Sequence, residues 1–185
     1  MKKFGGMFLA LAVVAMYSGL VANAQKDPDV GGAAMYPSKN IVENAVNSPD
    51  HTTLVAAVKA AGLVSTLEGP GPFTVFAPTN EAFDRLPAGT VDNLLKPENK
   101  AELVKILTYH VVPGRLTTRD LKKQIRMGSG SATLKTVEGG TLTATLHDGG
   151  IMLTDDKGGM AMVTIPNVIQ SNGVIQVINR VLMPN

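Results

Sequence analysis

"GPGPFTVFAPTNEAFDRLP", residues 69–87, holds the change of texture that decides the fold. Gly69-Pro70-Gly71-Pro72 stops whatever precedes it, because proline fixes φ and removes a backbone donor. Phe73 to Ala77 then combines aromatics, threonine and valine in the density of a buried strand. Pro78 ends that strand. Thr79 or Asn80 can cap a following helix by accepting a hydrogen bond from a free backbone N–H. Glu81 falls in the first turn, where the helix dipole favours negative charge. Phe83 and Leu86 are expected to face inward, and Pro87-Ala88-Gly89 ends the helix.

Upstream, a polar segment 25–39 with Pro28, Gly31, Gly32 and Pro37 is expected to be a flexible leader. Asn40 opens a helix with Ile41, Val42, Ala45 and Val46 on one stripe. A second helix carries Leu54, Val55, Val58 and Ala61 at helical spacing, with Gly62 as its stop. Downstream, Thr90 is expected to cap "VDNLL", and Asn99 with Glu102 resembles a capping box for "KAELVKILTYH". Leu103, Ile106, Leu107 and His110 share a face of that helix. Val111-Val112 and Pro113-Gly114 read as a strand end and a turn, and Thr117 or Thr118 can cap one more helix ending near Gly128.

After Gly130 the pattern turns to short, threonine-rich and β-branched runs between Gly-Gly breaks, the signature of successive strands. Asn172-Gly173 suits a type I′ turn. The closing strand, expected over 174–182, is apolar on both faces, with Ile175, Val177 and Val181 on one and Val174 and Ile178 on the other, so a central position is expected. Together these segments predict one α+β domain over 40–185.

Residues 1–24 have the pattern of a secretory signal peptide: Lys2 and Lys3, an apolar core, and Ala22-Asn23-Ala24 as cleavage site. Loss of two lysines and no acid takes the formal charge from +2 to zero. A neutral chain lacks the concentrated positive charge that nucleic acid or anionic membranes require. There are no cysteines, so thiol catalysis and cysteine metal sites are excluded. The three histidines, His51, His110 and His147, have no zinc-like spacing. No nucleophile elbow, Walker loop or dinucleotide fingerprint occurs. Asp155-Asp156 with Gly158-Gly159 lacks the calcium-loop alternation and reads as a solvated hairpin turn. No cofactor is expected, and no enzyme activity.

"FTVFAPTNEAF", "YHVVPGRL" and "SNGVIQVINRVLMP", in that order, resemble the signatures of the fasciclin, or FAS1, domain. The resemblance spans about Ile41 to Pro184. It implies a compact fold with a seven-stranded β-wedge and helices packed along one edge, and a role in cell-surface or extracellular-matrix adhesion without catalysis. The implied partner is a surface or matrix protein or glycan, or a second copy of the chain, met in a secreted or periplasmic location. Carried onto this sequence, the Tyr-His segment falls on Tyr109 and His110. The Asp-aliphatic pair that contributes to integrin binding in animal members falls on Asn167 and Val168, where the carboxylate is gone. Gln176 and Asn179 replace a histidine and an aspartate of the C-terminal signature. The residues themselves read His110 as a buried, hydrogen-bonded core group, Asn167 as a turn or strand end, and Phe73, Phe76 and Phe83 as core. Met152, Met160 and Met162 are expected to pack within strands; an exposed stripe of them would be an adaptable surface. The alternative function is a small-ligand carrier or weak enzyme using a cleft between helices and sheet, motivated by the uncommitted His147 and Asp148.

Overall fold

The computed structural model describes residues 28–185; the signal peptide expected at 1–24 lies outside the described residues. A hairpin, β1 (Asp29–Val30) and β2 (Ala33–Ala34), precedes helices α1 (Ile41–Ala45), α2 (Thr52–Ala61) and α3 (Val64–Leu67). Then come β3 (Phe73–Pro78), α4 (Asn80–Asp84), α5 (Thr90–Leu94), α6 (Lys100–Tyr109), β4 (Val111–Pro113) and α7 (Thr118–Met127). The strand-rich half is β5 (Ser131–Lys135), β6 (Thr141–His147), β7 (Gly150–Thr154), β8 (Met160–Gln170) and β9 (Gly173–Ile178).

Seven strands form one sheet in the order β4-β3-β9-β8-β7-β6-β5. The decisive pair is β3 with β9, parallel, from Phe73↔Gly173 to Pro78↔Ile178, although a hundred residues separate them in sequence. All six residues of β9 are buried, as its two apolar faces require. A Cβ on Gly173 would come within 2.2 Å of the Phe73 carbonyl oxygen, so only glycine admits this approach. The sheet curls until its edges meet: Val137 N–H, just past β5, donates to the Val111 carbonyl of β4 at 2.8 Å.

The strand pair β3–β9 divides the apolar interior in two. On one face Val75, Ala77, Ile175 and Val177 pack with α1–α3 and α6. On the other Phe76 and Ile178 meet Leu121 and Ile125 of α7 and the inward residues of β5–β7.

Several local expectations hold. Asn40 caps α1 in a full capping box with Glu43, Thr79 caps α4, and Gly62 ends α2 in the left-handed region. Thr117 and Asp120 form the capping box of α7. Others are corrected. Asn99 makes no cap, because its amide donates to the Asn93 carbonyl instead. Gly89 rather than Thr90 stands at the N-cap of α5. Val46 is exposed and Asn44 takes the buried place, bonded to Tyr36 and Gln170. Asn172 and Gly173 do not make a type I′ turn, since neither has positive φ. The Asn172 side chain instead joins Ile41, Leu67 and Gly69 of the helical layer. Asp148-Gly149, with both φ positive, takes that turn geometry between β6 and β7.

The described part of the leader is also corrected. Gly31 and Gly32 both have positive φ and turn the chain back so that Val30 and Met35 enter the core, each 2% exposed. The glycines serve the turn geometry of a packed hairpin.

Candidate functional site

Tyr109 and His110 close α6 and are both buried. The Tyr109 hydroxyl donates to the Thr141 carbonyl at 2.6 Å and accepts from the Asp156 N–H at 3.0 Å. It thus ties the helix end to β6 and to the β7–β8 turn. Burial pushes the phenol well above its ordinary range. His110 Nδ1 donates to the Ile106 carbonyl at 2.8 Å, and its Nε2 accepts from the Leu182 N–H at 3.0 Å. These two bonds fix the tautomer. Burial holds the imidazole down at about 4, so it is neutral at physiological pH. Both side chains join elements inside the domain and offer no surface to a partner.

Asn167 sits where β8 breaks register between Ile165 and Val168, a bulge that also houses Pro166. Its φ of 59° is left-handed. Its side chain accepts from Thr118 N–H at 2.7 Å and donates to Thr118 Oγ1 at 2.6 Å, while its own N–H donates to Gln176 Oε1 at 3.0 Å. Gln176 also donates to the Leu116 carbonyl at 2.9 Å. The cluster fastens the bulge to the start of α7. Val168, the next residue, points into the core with 0% exposure. Asn167 and Val168 therefore do not form a joint contact surface, because Val168 is wholly buried. Asn179 receives the Met162 N–H at 2.9 Å and holds the other end of β8.

Asp155 is not a solvated turn residue. It is 8% exposed, accepts from the N–H groups of Lys157 and Gly159, and receives the Met183 N–H at 2.9 Å. His147 and Asp148 stand at the exposed β6–β7 turn, 3.4 Å apart. Among the described residues no cluster of metal-ligating side chains occurs.

What the sheet does present is the outer face of β5–β8. The register aligns Ser131, Thr145, Met152 and Met162 in one cross-strand row and Thr133, Thr143, Thr154 and Met160 in the next. Their inward neighbours Ala132, Leu134, Leu142, Ala144, Ile151, Leu153 and Ala161 are buried, so the alternation is complete. Met160 is 53% exposed and Met152 and Met162 are half-buried, so the methionines form a partly open stripe beside the threonines. The eight residues carry no charge and no aromatic ring.

The curled seven-stranded sheet carries α1–α3 and α6 on one face of its β3–β9 pair and α7 on the other. The family model described as Fasciclin domain matches residues 49–184. The chain belongs to the fasciclin family. It is 45% identical to Protein sll1483 of Synechocystis sp. over 97% of this chain and 91% of that one. It is 35% identical to the immunogenic protein MPB70 of Mycobacterium bovis over 88% and 77% of the two chains. Identity to the transforming growth factor-beta-induced protein ig-h3 of Sus scrofa is 38%, over 71% of this chain and 17% of that much longer one. Among solved structures, a FAS1 domain pair from the insect cell adhesion molecule fasciclin I superposes with a TM-score of 0.70. That match has 21% identity and covers 80% of this chain and 51% of that one, and it establishes the shared fold.

Proposed function

We propose that this protein is a secreted or periplasmic binding module that mediates adhesion to cell-surface or matrix protein, without catalysis. The observation that carries the reading is the threonine- and methionine-rich face of β5–β8, uncharged over eight residues and bordered by Lys135. Threonine hydroxyls other than the buried one of Thr145 can donate and accept, and methionines conform to varied partner shapes. Without an aromatic ring the face offers no stacking platform for a sugar, which favours a protein partner. No described helix is long and apolar enough to cross a membrane. A mycobacterial relative, 34% identical over 87% of this chain, is named a cell surface glycolipoprotein, which supports an envelope location.

The test is retention of the purified protein on cells and on matrix-coated surfaces before and after protease or glycosidase treatment. Saturable binding lost with protease, and weakened at least tenfold in the double variant Thr143→Lys, Met162→Glu, is expected; that factor is about 1.4 kcal/mol. Retention equal to that of an unrelated neutral protein would remove the reading.

A further inference from the structure

An apolar cavity of about 50 Å³ lies between the helices and the sheet, with Val30, Met35, Ile41, Val58, Val75 and Ile175 among its walls. The β1–β2 hairpin covers it. That cover is held by Ser48 Oγ on the Val30 carbonyl at 3.2 Å and by reciprocal bonds between Asn44 and the Tyr36 backbone. Hairpin and α1 both precede the stretch matched by the family model, which begins at Pro49.

Two histidines stand in this wall, and they differ. His110 has both ring nitrogens engaged by backbone groups. His51 is 3% exposed, and its Nδ1 lies 2.9 Å from Ser48 Oγ, but its Nε2 makes no well-formed hydrogen bond, the Ala77 carbonyl beside the ring being too poorly placed to supply one. A buried polar atom without a partner carries a desolvation penalty that a bound ligand can relieve.

We propose that this cavity binds a neutral, largely hydrocarbon molecule bearing one hydroxyl group, with the hydroxyl on His51 Nε2 and the β1–β2 hairpin as cover. The wall sets the body of the ligand: apart from Ser48, the two histidines and Lys59, every side chain lining it is apolar. His51 sets the head. Ser48 has one hydroxyl proton to share between the Val30 carbonyl and Nδ1, so Nε2 serves as donor or acceptor according to that choice. A hydroxyl satisfies both forms, whereas a carboxylate needs a protonated ring. Burial lowers the proton affinity of His51, against smaller opposing effects of the Ala77 backbone and the Asp50 charge, and so disfavours that protonated ring. The space of about 50 Å³ holds roughly two or three carbon atoms, so an octyl chain enters only by moving part of the cover. The residues that must move are Val30 of β1 and Met35, just past β2, neither of which belongs to the seven-stranded sheet.

The test is titration of the purified protein with 1-octanol, with octanoate and with octane, followed by the ¹⁵N signals of the His51 ring and by the melting temperature. Saturable movement of the Nε2 signal with octanol is expected, at an affinity about tenfold above octanoate, the size of one well-made buried hydrogen bond. Met35→Ala, which opens the cover, should extend binding to dodecanol. The proposal is overturned if octanol leaves the His51 signals unmoved, or if octane binds as tightly. It is equally overturned if octanoate binds as tightly and Lys59→Gln abolishes that binding, because the head group then sits at the rim.

Discussion

The two apolar compartments on either side of β3–β9 are built to different standards. The compartment under α7 is filled by Phe76, Tyr109, Leu121, Leu142, Leu153 and Ile178, each at 0% exposure, and the one polar group among them is bonded twice. The compartment under α1–α3 is closed by a two-stranded hairpin, retains a cavity, and leaves one histidine nitrogen unpartnered. A close-packed interior stabilises and holds one shape; an under-filled apolar space costs stability. The contrast assigns stability to the sheet-side core and adaptability to the helix-side core.

The largest effect that would break this contrast is at Phe76. Replacement by alanine is expected to cost about 3–5 kcal/mol, measured by urea melts. A loss below a tenth of that would mean the sheet-side core is not close-packed. Next is pH. The folded protein holds His110 at about 4, below its ordinary 6.5, so the unfolded chain takes up the proton first as pH falls. Stability from this group is therefore complete above 6.5 and lost on acidification towards 4, by up to roughly 3 kcal/mol. Urea melts between pH 7 and 4 check the slope, and His110→Gln should flatten it. The lowered His51 contributes with the same sign.

Met35→Ala should cost about 2 kcal/mol, the lower end for such truncations, because the hairpin can settle into the space. A cost equal to that of Phe76→Ala would erase the difference between compartments. Asn167→Ala should cost about 1–2 kcal/mol through the lost bonds to Thr118 and the left-handed backbone, and Asn167→Gly should recover part of it. The smallest effect is at the outer face, where Met160→Glu should move stability by no more than about 0.5 kcal/mol. A larger change there would show that the face belongs to the core and not to a partner.

The candidate sites were legible to different degrees. Tyr109 and His110 stand out in the sequence because an aromatic and a histidine end an apolar helix, and the buried reading of His110 agrees with its two backbone bonds. Nothing along the chain distinguishes His51 from any other polar residue at a helix start; its significance comes from Ser48 beside it and from walls supplied by β3, β9 and the hairpin. Asn167 reads as a turn or strand end, and it is in fact a bulge, because the one-residue slip that creates it is visible only against β9. In the segment before α1, Gly31-Gly32 reads as flexibility in isolation and forms a tight turn once Val30 and Met35 have a core to enter.

By itself, the sequence determined the elements whose causes are local. The strand from Phe73, the helix opening at Asn40, the caps narrowed to Thr79 or Asn80 and to Thr117 or Thr118, the Gly62 terminator and the short β-branched runs of β5–β7 all follow from side chains within a few residues of one another. It also marked β9 as central, because a strand apolar on both faces has no stable place at an edge. The tertiary structure alone decided which strand lies beside β9, how the sheet curls to bring Val137 to Val111, and where the cavity falls. Those outcomes depend on contacts between residues far apart in the chain, whose balance of packing, register and hydrogen bonding no local pattern encodes.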